Sequence, residues 1–408
     1  MAHRPHIGFE DARSIVRDTL SPLSPLEVSI FDASELIAHE DMVARVDCPS
    51  LSSSMKDGFA VVSIDLTDAR EDAPKRLSVT GMLAAGRRSP LKVRSGTTVR
   101  IMTGAPLPEG ADAVLSEEYA RVEGETILCL REAEAGRNVL FRGSDVRMGE
   151  PVVRKGQFLA PAVTGFMAAA GIDRAWVVPL PKVGVVATGA EVVMPGCSLR
   201  PGELYASNLI TLICWLKHFR MKTRFASAPD READIRAAIE SVVRDVDVLL
   251  TSGGAWRSER DLTVRVLEEM GWNPLFRGVR MGPGKAVTFG LLDGIPVFCL
   301  PGGPPSNEMA FLQIVLPGLM IMGARPKAPF RDEVVRLADR VTGDKTWTQF
   351  IYADLVEREG ERWAAPLRLK SRLRSQACAR AVIRIQEGRE SIEEGSAVSV
   401  QILGEPQA

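Results

Sequence analysis

The sequence predicts a multidomain α/β plus β protein with a central doubly wound, mostly parallel sheet. Three observations carry this. Between residues 182 and 322 apolar runs alternate with helical patterns, which implies strands joined by right-handed crossovers. From residue 51 to about 135, short apolar runs are instead broken by glycine turns (Asp57-Gly58, Gly81, Gly86, Gly96, Gly104, Gly110), the texture of an all-β insertion. After Ala324-Arg325-Pro326 strand-like runs return, at 381–385 and 397–403, within a segment of ordinary domain size that suggests a C-terminal β module.

The elements follow in order. Ile15, Val16 and Leu20 stand at helical spacing and Ser21-Pro22 stops the pattern, so a helix is expected over 9–20. A short helix is expected at 34–36, and another at 162–170 among glycine turns. The strand-and-helix series then runs through a strand at 183–187, helices at 209–219 and 231–243, and a strand at 246–250. A helix after Asp261, a strand at 295–300 and a helix at 306–322 close it. These textures divide the chain into residues 1–50 with 136–181, 51–135, 182–324 and 325–408.

Composition narrows the function. With 408 residues, the chain is too long for one core, and two to four domains are expected. A formal net charge of −1 argues against bulk electrostatic binding to nucleic acid or an anionic membrane. No apolar stretch is long and charge-free enough to span a bilayer. The N-terminus, with His3, Arg4, His6, Glu10 and Asp11, lacks the apolar core of a signal peptide. The six cysteines form no C-x-x-C pair, so neither a zinc site nor a disulfide framework is indicated and the cytoplasm is expected. Cys214 and Cys299 sit in apolar patterns and read as core residues.

The most informative segment is 246–306. An apolar run ends in Thr251-Ser252-Gly253-Gly254, Asp261 opens a helical pattern, and Gly282-Pro283-Gly284-Lys285 follows. A second apolar run then breaks into Pro301-Gly302-Gly303-Pro304. In open α/β sheets such turns lie at the carboxyl ends of strands, where ligands bind, and free N–H groups at helix starts favour anions. Two such turns with a lysine turn between them point to a phosphate-bearing ligand.

Motifs spread over nearly the whole chain, from about Ile15 to Val400, resemble one family. They are Ser54-Met55-Lys56-Asp57-Gly58-Phe59-Ala60-Val61, Ile101-Met102-Thr103-Gly104-Ala105-Pro106 and Gly110-Ala111-Asp112-Ala113-Val114 with Glu117. Gly143-Ser144-Asp145-Val146, Thr188-Gly189-Ala190-Glu191, Ser252-Gly253-Gly254 with Asp261, Pro283-Gly284-Lys285 and Leu300-Pro301-Gly302 complete the set. Each is weak alone; in this order they resemble the molybdopterin molybdenumtransferases, called MoeA in bacteria and represented in animals by the E domain of gephyrin.

The resemblance implies a MogA-like central domain, a C-terminal β-barrel-like domain and a homodimer. It implies an enzyme of molybdenum-cofactor biosynthesis that places molybdate on the dithiolene of adenylylated molybdopterin and releases AMP, with Mg²⁺ assisting. By matching position it assigns Glu191, Asp230 and Asp261 to the cation and pyrophosphate, since hard carboxylate oxygens suit Mg²⁺. Lys285 would meet phosphate or molybdate oxygens. Asp57 and Asp145 join Lys285 as catalytic candidates. Thr103, Ser252, Gly253, Gly254, Pro301 and Pro304 would line the ligand site, with Asp57 and Thr103 reaching the site of the other subunit. Partners would be other molybdenum-cofactor biosynthesis proteins or a molybdoenzyme.

Plainer roles stand beside these. Asp57 and Asp145 suit turns, and Asp261 suits a helix cap. Arg368, Lys370, Arg372 and Arg374 alternate at strand spacing, as on a solvated strand face; Ser371 and Ser375 match family serines but also fit such a face. The ligand loops depart from the family: Ala255-Trp256-Arg257-Ser258 replaces Val-Ser-Val-Gly, Gly282 replaces a lysine, and Gly303 replaces an asparagine. Arg257, Arg260 and Arg280 are candidates to restore positive charge, and the Trp256 indole to stack on a pterin or adenine ring. Two rivals to the enzyme therefore follow: a divergent, non-catalytic paralogue that binds pterin, cofactor or nucleotide and hands it on, and a scaffold of the gephyrin kind.

Overall fold

A computed structural model describes residues 6–86, 90–253, 262–325, 328–368 and 371–404. It comprises two compact units, Pro25–Val177 and the remainder, Met1–Ser24 with Val178–Ala408. The remainder begins with helix α1 (Phe9–Thr19), whose Phe9, Ala12 and Val16 are buried on one face. Glu10 and Asp11 in its first turn and Arg17 in its last suit the helix dipole.

In the unit Pro25–Val177, a three-stranded sheet of Leu26–Ser29, Arg174–Val178 and Ile37–Ala38 flanks helix α2 (Pro161–Ala169). The short helix expected at 34–36 forms earlier, at Ile30–Ala33. The Ser29 hydroxyl accepts a 3.4 Å bond from the Phe31 N–H, and the positive φ of Glu35 (65°) rules out helix beyond it. Six strands form the insertion: β1 (Gly58–Val61), β2 (Lys75–Leu83), β3 (Thr97–Ile101), β4 (Ala113–Ser116), β5 (Ala120–Glu123) and β6 (Thr126–Cys129). Their order is β4-β1-β3-β2-β6-β5. All of β1 is buried because each face has its own core: Phe59 and Val61 pack on one side and Ala60 on the other.

The other unit holds β7 (Val183–Thr188), α3 (Ser207–His218), β8 (Thr223–Ala228), α4 (Glu232–Val243), β9 (Val248–Ser252), α5 (Leu262–Glu269), β10 (Asn273–Arg277), β11 (Thr288–Leu292) and β12 (Ile295–Leu300). The sheet order is β8-β7-β9-β12-β11-β10, with β8, β7, β9 and β12 parallel and the last two antiparallel. Alternation along β7 shows the double winding. Val183, Val185 and Ala187 pack with Leu209, Leu212 and Leu216 of α3, whereas Val186 faces Ile235 and Ile239 of α4 and Val266 of α5. Among the described residues no helix is long and apolar enough to cross a membrane.

The helix expected at 306–322 starts two residues earlier and is not uniform. It is α6 (Pro304–Ala310), a π-helical turn at Phe311–Val315, and α7 (Leu316–Met322). Pro304 begins the helix because its fixed φ and missing N–H suit a first turn, and the wide turn precedes Pro317, which has no N–H to give.

The C-terminal strands β13 (Asp332–Leu337), β14 (Thr348–Arg358), β15 (Glu361–Pro366), β16 (Ala381–Ile385) and β17 (Ala397–Ile402) run β14-β15-β13-β17-β16. A β14–β16 pairing closes them into a five-stranded barrel. Val335, Leu337, Leu355, Ile383 and Val400 fill it. Two expectations are corrected. Arg372 and Arg374 lie on helix α8 (Arg372–Cys378), not on a strand; Ser371 caps it and Ser375 is buried against the Ser371 carbonyl. Cys299 is buried as expected, but Cys214 is exposed, on the side of α3 away from Leu212, Ile213 and Leu216.

Candidate active site

Three parallel strands end side by side and their turns converge. Gly253, just past β9, has φ +106° and no room for a side chain: a Cβ there would meet the Thr188 carbonyl oxygen of β7 at 2.3 Å. Only glycine fits. A Cβ on Gly302, past β12, would lie 3.9 Å from the Gly253 Cα, so the two glycine turns stand together. Thr188 and Thr263 share a buried hydroxyl bond of 2.9 Å, tying the end of β7 to α5. The Asn208 amide, in the first turn of α3, donates to the Gly302 carbonyl at 2.8 Å.

Behind these turns lies a buried side chain that sequence reasoning missed. Asn307 is 1% exposed. Its Nδ2 donates to Ser252 Oγ at 3.0 Å and to the Pro301 carbonyl at 2.9 Å. The next residue, Glu308, faces away and is also buried. It accepts from Trp215 Nε1 of α3 (2.7 Å), the Tyr352 hydroxyl of β14 (2.7 Å) and Gln376 Nε2 of α8 (2.9 Å). Burial, and then the Glu308 charge, push the Tyr352 hydroxyl well above the ordinary tyrosine range. One carboxylate with three donors thus fastens the helix that follows the glycine turn to the barrel.

Lys285 borders a cavity of about 340 Å³ shared with Gly282, Ser306, Asp344, Trp347 and Gln349. The strand Met281–Gly282 pairs with the start of β14, opposing Gly282 to Gln349. A Cβ on Gly282 would meet Gln349 Oε1 at 2.7 Å, so the Gln349 amide fills the space a side chain at 282 would need. Trp347 is half-buried, with its ring 5.2 Å from that of His6. Arg280 is engaged by Glu387 at 3.1 Å rather than available as a spare cation.

Glu191 and Asp230 are exposed in the loops after the neighbouring strands β7 and β8. The Glu191 carboxylate lies back over Gly189, 3.3 Å from where a Cβ would stand. Gly254, Trp256, Arg257, Ser258, Arg260 and Asp261 lie outside the described residues, as does Lys370. Among the described residues no three carboxylate, histidine or cysteine side chains are grouped closely enough to share an ion.

The unit Pro25–Val177 carries the other candidates. The Asp57 carboxylate accepts from the Thr103 N–H and hydroxyl, both at 2.7 Å. Those two bonds, the backbone one first, and then the charge of Arg100 hold it below the usual carboxylate range. Gly58 is required by close approach: a Cβ would meet the Leu115 carbonyl oxygen at 2.0 Å. Asp145 is exposed, and its Oδ2 lies 3.8 Å from Cys48 Sγ. Desolvation, with the Asp145 charge adding, raises the Cys48 thiol.

A doubly wound sheet whose strand-end turns gather at the carboxyl ends of its parallel strands is the architecture of a protein that binds its ligand in that crevice. Comparison makes this specific: the chain belongs to the MoeA family of molybdopterin molybdenumtransferases. The MoeA N-terminal region (domains I and II) matches residues 7–171. The family described as "Probable molybdopterin binding domain" matches 184–320, and the MoeA C-terminal region (domain IV) matches 334–403. Molybdopterin molybdenumtransferase 2 of Mycobacterium tuberculosis is 30% identical over 361 residues, 86% of this chain and 89% of its own. The molybdopterin molybdenumtransferase of Bacillus subtilis is 30% identical over 387 residues, 93% and 90% respectively. A molybdopterin biosynthesis MoeA protein from Pyrococcus horikosii superposes with a TM-score of 0.81 at 33% identity, covering 98% of this chain and all of that one.

Proposed function

We propose that this protein inserts molybdenum during molybdenum-cofactor biosynthesis, placing molybdate on the dithiolene of adenylylated molybdopterin with release of AMP. The observation that carries this is the convergence of the Ser252-Gly253 and Pro301-Gly302 turns at the carboxyl ends of β9 and β12, in a chain whose relatives are named for that transfer.

Each candidate has a task. Lys285, bordering the 340 Å³ cavity, neutralises phosphate or molybdate oxygens by a charge-assisted bond. Ser252, Gly253 and Gly254, with Pro301 and Pro304, shape the wall against which the pyrophosphate and pterin lie. Glu191 and Asp230, carboxylates after adjacent strands, offer the hard oxygen donors that suit Mg²⁺, and Asp261 completes the set. A cation held there would offset the pyrophosphate charge. Thr103 fixes the Asp57 carboxylate in one orientation and keeps it ionised. Asp57 and Thr103 are read as serving the site of the second subunit of a homodimer, and Asp145 as a further catalytic candidate.

The same reading divides the chain into residues 1–50 with 136–181, 51–135, 182–324 and 325–408. It places the protein in the cytoplasm, where it serves a molybdoenzyme or other cofactor-biosynthesis proteins. One observation favours a non-catalytic carrier instead: Gln349 fills the space beside Gly282, so the cavity keeps a neutral amide where a second lysine would add charge.

Binding separates the roles. Adenylylated molybdopterin is titrated against wild type, Lys285→Met and Glu191→Gln, with and without Mg²⁺. Both variants should bind at least tenfold more weakly, and only Glu191→Gln should lose most of its response to Mg²⁺. Unchanged affinity in both would remove this assignment of the site.

A further inference from the structure

We infer that Asn307 is the positioning residue that locks the two glycine turns together. Three observations carry this. Its amide makes two hydrogen bonds, one to a side chain on β9 and one to the backbone after β12, so a single group spans both turns. The turns it spans lie side by side: Gly253, at positive φ, backs tightly on the Thr188 carbonyl, and a Cβ on Gly302 would stand in ordinary contact, 3.9 Å, with the Gly253 Cα. Asn307 Oδ1 is buried and has no hydrogen-bond partner among the described residues.

The amide matters as a donor. Ser252 Oγ and the Pro301 carbonyl both accept from the same nitrogen, so an aspartate of equal size would set a carboxylate against the Pro301 oxygen. Asn307 touches no ligand in this scheme; it acts through Ser252 and Pro301. The inference rests on the reading of this edge as the pterin and phosphate site, and deepens it.

Three variants test it: Asn307→Asp, Asn307→Ala and Ser252→Ala, with the Ser252→Ala/Asn307→Ala double. The first readout needs no ligand: amide hydrogen exchange at Gly253, whose N–H donates to the Leu300 carbonyl at 3.3 Å. The second is the Kd of adenylylated molybdopterin. Asn307→Asp and Asn307→Ala should both speed exchange at Gly253 about tenfold and raise the Kd about tenfold, the loss of one or two hydrogen bonds. Adding Ser252→Ala to Asn307→Ala should then change the Kd less than twofold, because the pair acts as one unit. Wild-type exchange and affinity in Asn307→Asp, or additive effects in the double variant, would overturn the inference. If Asn307→Ala does not fold, Ser252→Ala, which removes one of the two bonds, decides by exchange at Gly253. If the wild-type protein itself does not bind the pterin, the functional reading fails, and the exchange result still judges the clamp.

Discussion

Asp57 and Gly253 show how much a single position can say. Asp57 is exposed, yet two bonds from Thr103 hold its carboxyl down. A group whose folded pKa is depressed adds stability that is fully present above its unfolded pKa and is lost as pH falls through the folded value. The Asp57 carboxyl should therefore titrate below 3.8 by NMR. Thr103→Ala should raise the midpoint only part of the way, because the larger contribution, the backbone N–H, remains. A full return to 3.8 would show that the hydroxyl carries the effect. Two glycines make a second test. Gly253→Ala places a methyl against backbone at a positive φ and should cost about 2 kcal/mol or more in denaturant unfolding. Gly282→Ala meets only the end of a glutamine side chain and should cost less than about 1 kcal/mol. At this scale the turn after β9 was legible because only glycine serves at Gly253. Asn307 was not, because nothing in Pro-Pro-Ser-Asn says that its amide will be buried under two strand ends.

Between elements, the Glu308 network joins α3, α6, α8 and β14. Tyr352→Phe removes one of three donors from a buried carboxylate and should destabilise this unit by about 2 kcal/mol, the size of a bond to a charged group. Chemical denaturation of the full chain would measure it, and an unchanged midpoint would mean that the network is slack. In the doubly wound domain β7, β12, α3 and α4 were legible because both periods are strong there: β12 is a continuous apolar run, and α3 and α4 bury every third or fourth residue. The strand expected at 246–250 forms at Val248–Ser252, and β8, β10 and β11, which bury fewer residues or follow one another without a helix, were missed. Arg372 and Arg374 misled because two charges two residues apart look like a strand face. The serine cap at Ser371 and the buried Ser375 four residues on are the helical signals that outweigh them. The π turn before Pro317 left no trace in periodicity, since all five of its residues are buried.

For the whole molecule, the order of motifs carried more information than any composition, and it pointed to the family that the comparisons then established. What stayed hidden was the pairing of distant side chains, such as Gly282 with Gln349, which only the barrel's register against Met281–Gly282 creates. The homodimer reading makes its own prediction. Asp57→Asn and Lys285→Met should each be inactive alone, and mixing the two under subunit exchange should restore up to about a quarter of wild-type turnover, because one site in four subunit combinations regains both residues. No recovery in verified mixed dimers would place Asp57 and Lys285 in the same subunit's site. The central claim is tested most directly by AMP release from adenylylated molybdopterin in Mg²⁺, with and without molybdate. The account predicts release that depends on molybdate. Tight binding of the pterin with no release under either condition would contradict it and make the protein a carrier.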